Sequence, residues 1–315
     1  MTTRSISEIL DIQYPIIMAP MFLVTNAKMM IEAINSGIAA AVPALNYRTD
    51  EEFREAVKEI RANTPGKKGL GINLIVNKSN VKVKQQLETC VELKVDFIIT
   101  SLGSPAKVIE LCKPHGIKVL CDVVEEKYAK KVEVLGADAL IAVNKNAGGH
   151  AGNLTPEVLI PLLKKHCRIP VISAGGVGTK SEAEYIMSLG ADGLSIRSPF
   201  IASIESDISD EYKNACIEYG KNDIVTTTKI SGTPCTVINT PYVKEIGTKQ
   251  NWLERVLSKN RKIKKWIKMF TFLKGMKAIN KAAFTNTYKT IWCAGPSIEH
   301  TTGILPVKQI VSRLV

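Results

Sequence analysis

Histidine is scarce, with four residues in 315, and the seven cysteines (Cys90, Cys112, Cys121, Cys167, Cys216, Cys235 and Cys293) stand far apart without a CxxC pair. Neither supply offers the close His/Cys spacing of a structural zinc site, so no metal is expected. An odd number of thiols cannot close into a complete disulfide set, and the thiols read as reduced in a cytoplasmic protein. No apolar run reaches the ~18 residues of a membrane span. The N-terminus does not read as a signal peptide, because Pro15 and Pro20 interrupt the first apolar stretch after Arg4. Low-complexity linkers are missing. The 21 glycines and 14 prolines are ordinary levels, which argues against collagen-like or wholly disordered chains.

Acidic residues run short in one place only. Between Lys249 and Lys281 stand eleven Lys/Arg and a single acid, Glu254. Taking those away leaves 31 bases against 29 acids, so the net charge of +12 belongs almost wholly to that segment. A nucleic-acid footprint spread over the domain is not indicated. Trp252, Val256, Ile263, Ile267 and Phe270 fall near one helical face with the cations opposite, which predicts a basic amphipathic helix or helix pair over about 249–283. Three roles suit it: a lid or homodimer-contact helix with a solvated face, docking of an acidic partner such as an acyl carrier protein, or adsorption to an anionic membrane surface.

What is present in quantity is apolar: 45% of residues, enough for one large domain or two small ones. Short β-branched runs alternate with amphipathic stretches. The runs are Tyr14–Ala19, Ile38–Val42, Gly69–Ile75, Val95–Thr100, Ile117–Asp122, Asp138–Val143, Ile169–Ala174 and Asp192–Arg197. Each is short and continuously apolar, as suits a parallel strand buried on both faces. Helices are predicted over Asp50–Ala62, Asn80–Leu93, Pro105–Lys113, Glu125–Leu135, Pro156–Lys165 and Ser181–Leu189, with Asp50 and Thr155 as N-caps and Gly37, Gly116, Gly136 and Gly190 as stops. Eight strands alternating with helices favour an α/β fold of the (β/α)8 TIM-barrel type with extra C-terminal helices; a doubly wound open sheet is the alternative. The barrel is expected to span 1–205 together with 286–315, the latter including an irregular return over 291–315. A helical insertion or lid is expected over 206–285.

In a barrel, function sits on the loops that follow the strands. Those loops carry Ala19-Pro20-Met21, Asn73, Ala147-Gly148-Gly149-His150-Ala151-Gly152, Ser173-Ala174-Gly175-Gly176-Val177-Gly178 and Arg197-Ser198. The last two fall where this fold usually binds phosphate, with backbone N–H groups and a helix N-terminus facing the anion. The glycines there equally suit a tight turn. Gly178-Thr179-Lys180-Ser181 lacks the adjacent Gly-Lys of a P-loop. His150 is the one histidine in a glycine-rich loop at a strand end, and its near-neutral pKa suits general acid–base work. His115 and His166 sit at helix ends, where capping explains them.

These motifs resemble the nitronate monooxygenase (2-nitropropane dioxygenase) family, which is related to flavin-dependent enoyl-ACP reductases. The resemblance rests on residues 15–21, Gly-Ile-Asn-Leu at 71–74, the Gly-Gly-His-Ala-Gly loop, Ser-Ala-Gly-Gly at 173–176, Gly-Ala-Asp at 190–192 and 200–203. It implies a TIM barrel, non-covalent FMN and His150 as catalytic base. Ala19, Pro20, Met21 and Asn73 would surround the flavin ring, with Gly148 and Gly149 beside it; Ser173, Gly175, Gly176 and Ser198 would lie on the phosphate side. Departures from the family pattern are Arg197-Ser198 after strand eight, Ala294-Gly295-Pro296 near the C-terminus, and Gly37-Ile38-Ala39 after helix one. Arg197 either pairs with the phosphate or points away. Asp122 stands where relatives can carry a basic residue near the flavin, and a carboxylate there disfavours an anionic ligand. The implied activity is oxidation of a small nitroalkane or nitronate with O2. Alternatives are NAD(P)H-dependent reduction of an enoyl thioester or quinone, and a non-catalytic flavin-binding protein.

Overall fold

The computed structural model describes residues 4–77, 80–229, 233–249 and 291–315. All but the first residue of the basic segment 249–283 lies outside them.

Eight parallel strands close into a barrel: β1 (Ile16–Met18), β2 (Ala39–Pro43), β3 (Leu70–Ile75), β4 (Phe97–Ser101), β5 (Lys118–Val123), β6 (Ala139–Val143), β8 (Val171–Ala174) and β9 (Gly193–Ile196). The ring shuts where β9 pairs with β1, Met18 against Ile196. Eight helices accompany the barrel strands: α1 (Ile6–Leu10), α2 (Ala27–Asn35), α3 (Asp50–Asn63), α4 (Val83–Glu92), α5 (Ala106–Cys112), α6 (Glu126–Val134), α7 (Pro156–His166) and α8 (Lys180–Ser188). The open-sheet alternative is thereby set aside.

The local chemistry of α3 shows why these segments are helical. Phe53, Ala56, Val57 and Ile60 recur at helical spacing and are its buried face, while Asp50, Glu51 and Glu52 complement the N-terminal dipole. Its cap is Thr49, not Asp50: the Thr49 hydroxyl accepts from Glu52 N–H and the Glu52 side chain returns the bond, so Asp50 becomes the first helical residue. Thr155 does stand at the N-cap of α7. The four expected glycine stops all have positive φ.

Two apolar layers result. One lies between the sheet and the surrounding helices. The other fills the barrel, with Ile17, Ala39, Ala41, Phe97, Ile99, Leu120, Ala139, Ile141 and Ile172, and is plugged at the strands' N-terminal end by Ile6 and Leu10 of α1. Phe97 fits because β3 offers Gly71 opposite; a Cβ there would lie 2.1 Å from the ring.

The segment expected to be helical departs from that reading in its described part. Helices α9 (Asp210–Glu218) and α10 (Pro241–Ile246) flank an antiparallel ribbon, β10 (Ile224–Thr227) and β11 (Cys235–Ile238). Ile-Val-Thr-Thr and Cys-Thr-Val-Ile are β-branched sequences that favour the extended chain. Strand β11 also pairs with the two-residue strand β7 (Gly149–His150), in register Cys235 to His150 and Thr236 to Gly149. The return over 291–315 is not wholly irregular: it holds a 3-10 turn at Pro296–His300 and the helix α11 (Val307–Ser312).

Candidate functional site

Side chains alternate along a strand, so residues two apart share a face. Phe97, Ile99 and Ser101 of β4 ascend the barrel interior; Leu120 and Asp122 do so on β5, and Gly71 and Asn73 on β3. At the strands' C-terminal end this parity brings together Ala19, Pro43, Asn73, Ser101, Asp122, Val143, Ala174 and Arg197 around a cavity of about 700 Å³. Ile99 and Ile141, which also belong to the barrel's apolar filling, line it as well.

Of the site residues expected from sequence, Ala19, Pro20, Asn73, Asp122, Gly148, Gly149, His150, Gly175, Gly176, Arg197 and Ser198 line this cavity. Met21 and Ser173 stand outside its lining. Met21 is fully buried in the layer behind β1, and its N–H donates to Thr25 Oγ1 at 3.0 Å. Ser173 precedes the inward-facing Ala174, and its Oγ accepts from Asn144 Nδ2 at 3.4 Å.

A short polar chain crosses one side of the cavity. Asn73 Nδ2 donates to Ile99 O at 3.1 Å and to Ser101 Oγ at 2.8 Å; Ser101 Oγ donates onward to Asp122 Oδ2 at 2.5 Å. Burial raises the Asp122 pKa to about 6, although the Ser101 hydrogen bond opposes it. With a pKa of about 6 this carboxyl is largely ionised at pH 7 and gains its proton only in mildly acidic solution, so at neutrality it still opposes an anionic ligand.

His150 faces the cavity from β7 and retains solvent access. The protein enclosing it desolvates the imidazolium, and the positive charge of Arg197 adds to the effect, so its pKa falls below 6.5. The imidazole is consequently neutral at pH 7 and able to accept a proton. Its loop is clamped from two sides. Thr236 Oγ1 donates to Ala147 O at 2.8 Å and to Gly149 O at 3.3 Å. Arg197 Nη1 donates to Gly148 O at 2.7 Å, while Arg197 Nε is buried without a partner. Gly149 has φ +78°, and a Cβ on it would sit 2.1 Å from Arg197 Nη1, so only glycine suits the position.

Gly175, after β8, has φ +111° and approaches the histidine loop so closely that a Cβ would lie 2.4 Å from Ala147 N. Helix α8 starts one residue before the expected Ser181, with Thr179 as its cap. Gly178 N–H is already taken by Glu182 Oε2 at 2.8 Å, and the other Glu182 oxygen lies 2.9 Å from His300 Nε2. That leaves Gly175 and Gly176 as the glycines of this loop on the cavity wall.

Several lining residues escaped the sequence reading. Ser101 was legible by its parity with Phe97 and Ile99. Tyr212 arrives from α9, stacks on Trp292 at 5.8 Å and donates its hydroxyl to Cys293 O at 2.7 Å. Cys235 and Cys293 come from the ribbon and the C-terminal return. Strand patterns carry no signal for such tertiary additions.

A search of family models matches residues 75–315 to nitronate monooxygenase. The chain belongs to the nitronate monooxygenase family. It is 27% identical over 277 residues to a nitronate monooxygenase of Paraburkholderia phytofirmans, covering 73% of this chain and 74% of the relative. It is 25% identical over 242 residues to the (3aS,4S,5R,7aS)-5-hydroxy-7a-methyl-1-oxo-octahydro-1H-indene-4-carboxyl-CoA dehydrogenase of Rhodococcus jostii, covering 77% of this chain and 67% of that protein. Among solved structures, FabK from Thermotoga maritima superposes with a TM-score of 0.84 at 27% identity, over 99% of this chain and 95% of that one. Membership of the nitronate monooxygenase family makes the chain an oxidoreductase acting on small molecules, and the barrel is the fold of these relatives.

Proposed function

We propose that the chain is an FMN-dependent oxidoreductase that oxidises nitroalkanes or nitronates with O2. The observation that carries this reading is His150 facing an apolar cavity from a loop whose glycines let a flat ligand lie against it, and desolvation with Arg197 lowers its pKa and so favours the neutral imidazole at pH 7. The cavity suits FMN in three respects. Its volume lies within the usual range of small-molecule sites, roughly 300–1,000 Å³. Arg197 Nε is an orphaned buried donor in the wall. Gly148 and Gly149 put bare backbone into the cavity lining, where a flat ligand can approach closely.

Ala19, Pro20, Asn73, Gly148 and Gly149 would hold the ring, and Gly175, Gly176 and Ser198 the phosphate. FMN, when bound, would supply the electron sink. His150 accepts the α-proton of a nitroalkane at its unprotonated ring nitrogen, or orients a nitronate that has already lost it. Asp122, accepting from the Ser101 hydroxyl, would stand beside the ligand as a mostly ionised carboxylate at pH 7 that takes up a proton in mildly acidic solution. The seven free thiols favour a cytoplasmic setting.

The second reading is oxidation or reduction of an acyl thioester. The FabK likeness and the CoA-thioester dehydrogenase relative favour it, together with Leu102 and Val124, which line the cavity yet remain exposed at its lip. On that reading the cations of 249–281 recruit an acidic carrier protein.

Anaerobic mixing separates the two. Absorption near ~375 and ~450 nm establishes flavin. Bleaching by a nitronate alone supports the first reading, and rapid bleaching by NAD(P)H the second. A flavin that neither donor reduces marks a binding protein, and a colourless protein that cannot be reconstituted with FMN overturns the proposal.

A further inference from the structure

Two sulfur atoms from distant parts of the chain meet on the cavity wall. Cys235 is the cross-strand neighbour of His150. Cys293 follows Trp292, whose carbonyl accepts from Ile238 N–H at the end of β11. Their Sγ atoms are 3.8 Å apart, and both residues line the cavity. A disulfide bond is about 2 Å long, so closing it requires the sulfurs to approach by under about 2 Å.

The surroundings differentiate the two thiols. Either sulfur can donate the hydrogen bond between them; with Cys235 as donor, it holds the Cys293 thiol below the ordinary cysteine range, and Arg197 adds its positive charge against the effect of burial. The same hydrogen bond, followed by burial, pushes the Cys235 thiol up. One sulfur is therefore readied as a thiolate nucleophile and its neighbour as the resolving thiol, the arrangement that reactive dithiols require.

We propose that Cys235 and Cys293 form a redox-active dithiol that reduces hydroperoxides entering the cavity and closes to a disulfide. The Cys293 thiolate attacks one peroxide oxygen. An S–O bond forms, the O–O bond breaks, and the departing hydroxide or alkoxide takes up a proton. Cys235 then attacks the Cys293 sulfenic sulfur. An S–S bond forms, the S–O bond breaks, and hydroxide leaves as water with the Cys235 proton. Two thiols and one hydroperoxide thus yield a disulfide, an alcohol or water, and a further water. Two electrons pass from sulfur to oxygen. An external thiol restores the pair by exchange. The disulfide ties β11 to the C-terminal return directly beside His150, so the sulfur oxidation state bears on the site. None of this depends on flavin.

The test uses the full chain, reduced and then exposed to one equivalent of hydrogen peroxide. Thiol titration in denaturant is expected to fall by two from the initial seven. Intact mass should fall by two hydrogens, and peptide mapping should recover a Cys235–Cys293 link that dithiothreitol reverses. Oxidation should outpace that of glutathione under the same conditions. Cys235→Ser should instead accumulate a sulfenic acid at Cys293 that dimedone traps, and Cys293→Ser should abolish the fast reaction. Seven surviving thiols under peroxide that oxidises glutathione would overturn the proposal, as would a link or adduct mapped only to other cysteines. The wild-type protein alone decides, so a variant that fails to fold leaves the test intact.

Discussion

The pKa values of His150 and Asp122 shift in opposite directions: desolvation by the surrounding protein, with Arg197, lowers that of His150, and burial raises that of Asp122. If His150 is the base, His150→Ala should retain FMN and lose about 10²–10⁴-fold in kcat, the usual span for a positioned acid–base group; unchanged kcat/KM would remove the residue from the mechanism. In the wild type, kcat/KM should fall with acid through a pKa below 6.5, because the protonated imidazole cannot accept a proton. Asp122 also leaves a thermodynamic signature. Its folded pKa is raised from 3.8 to about 6, so the folded state holds this proton more tightly than the unfolded chain does. The resulting stabilisation is complete below 3.8 and is lost as pH rises through about 6. Asp122→Asn should therefore flatten that part of the profile and raise the melting temperature above pH 6. Melting curves measured across this range check the sign, and a variant less stable than wild type above pH 6 would contradict it.

At the scale of elements, the histidine loop is positioned by a ribbon as much as by the barrel. Thr236→Val removes the donor shared by Ala147 O and Gly149 O and should cost about 1–3 kcal/mol. A larger proportional loss in kcat than in FMN affinity would show that the clamp aims His150; equal losses would make it a purely structural tie. The barrel strands were legible because parallel strands buried on both faces write continuous β-branched runs; Asp122 could be placed because it ends such a run, whereas Asn73, inside the run 69–75, was placed by the family resemblance. Thr49 was passed over for its neighbour Asp50, since both are capping residues and only the backbone distinguishes them. The ribbon was missed for a different reason. Ile224–Thr227 and Cys235–Ile238 are four residues each, too short for alternation to stand out from the helical pattern of the rest of the insertion. Their β-branched composition was a usable signal. The meeting of Cys235 with Cys293 was not legible, because it arises from tertiary packing between segments 58 residues apart.

For the molecule as a whole, the barrel interior sets stability and the cavity above it sets ligand response. Gly71→Ala drives a methyl into the Phe97 ring and should destabilise by about 1–3 kcal/mol, read by denaturant unfolding. A neutral result would mean that the ring can turn aside. FMN at 100 times its Kd should add about 2.7 kcal/mol by mass action, seen as a rise in melting temperature that depends on ligand concentration.

The clasp on the histidine loop also governs when function appears during synthesis. The last barrel strand ends at Ile196, yet the loop bearing His150 is held by Thr236 and packs against Gly295. A nascent chain thus possesses every stave of its barrel well before it possesses the pieces that arrange its imidazole. The setting of the imidazole is completed late, and a chain that stops short of Thr236 holds a barrel whose histidine loop has only the Arg197 side of its clamp.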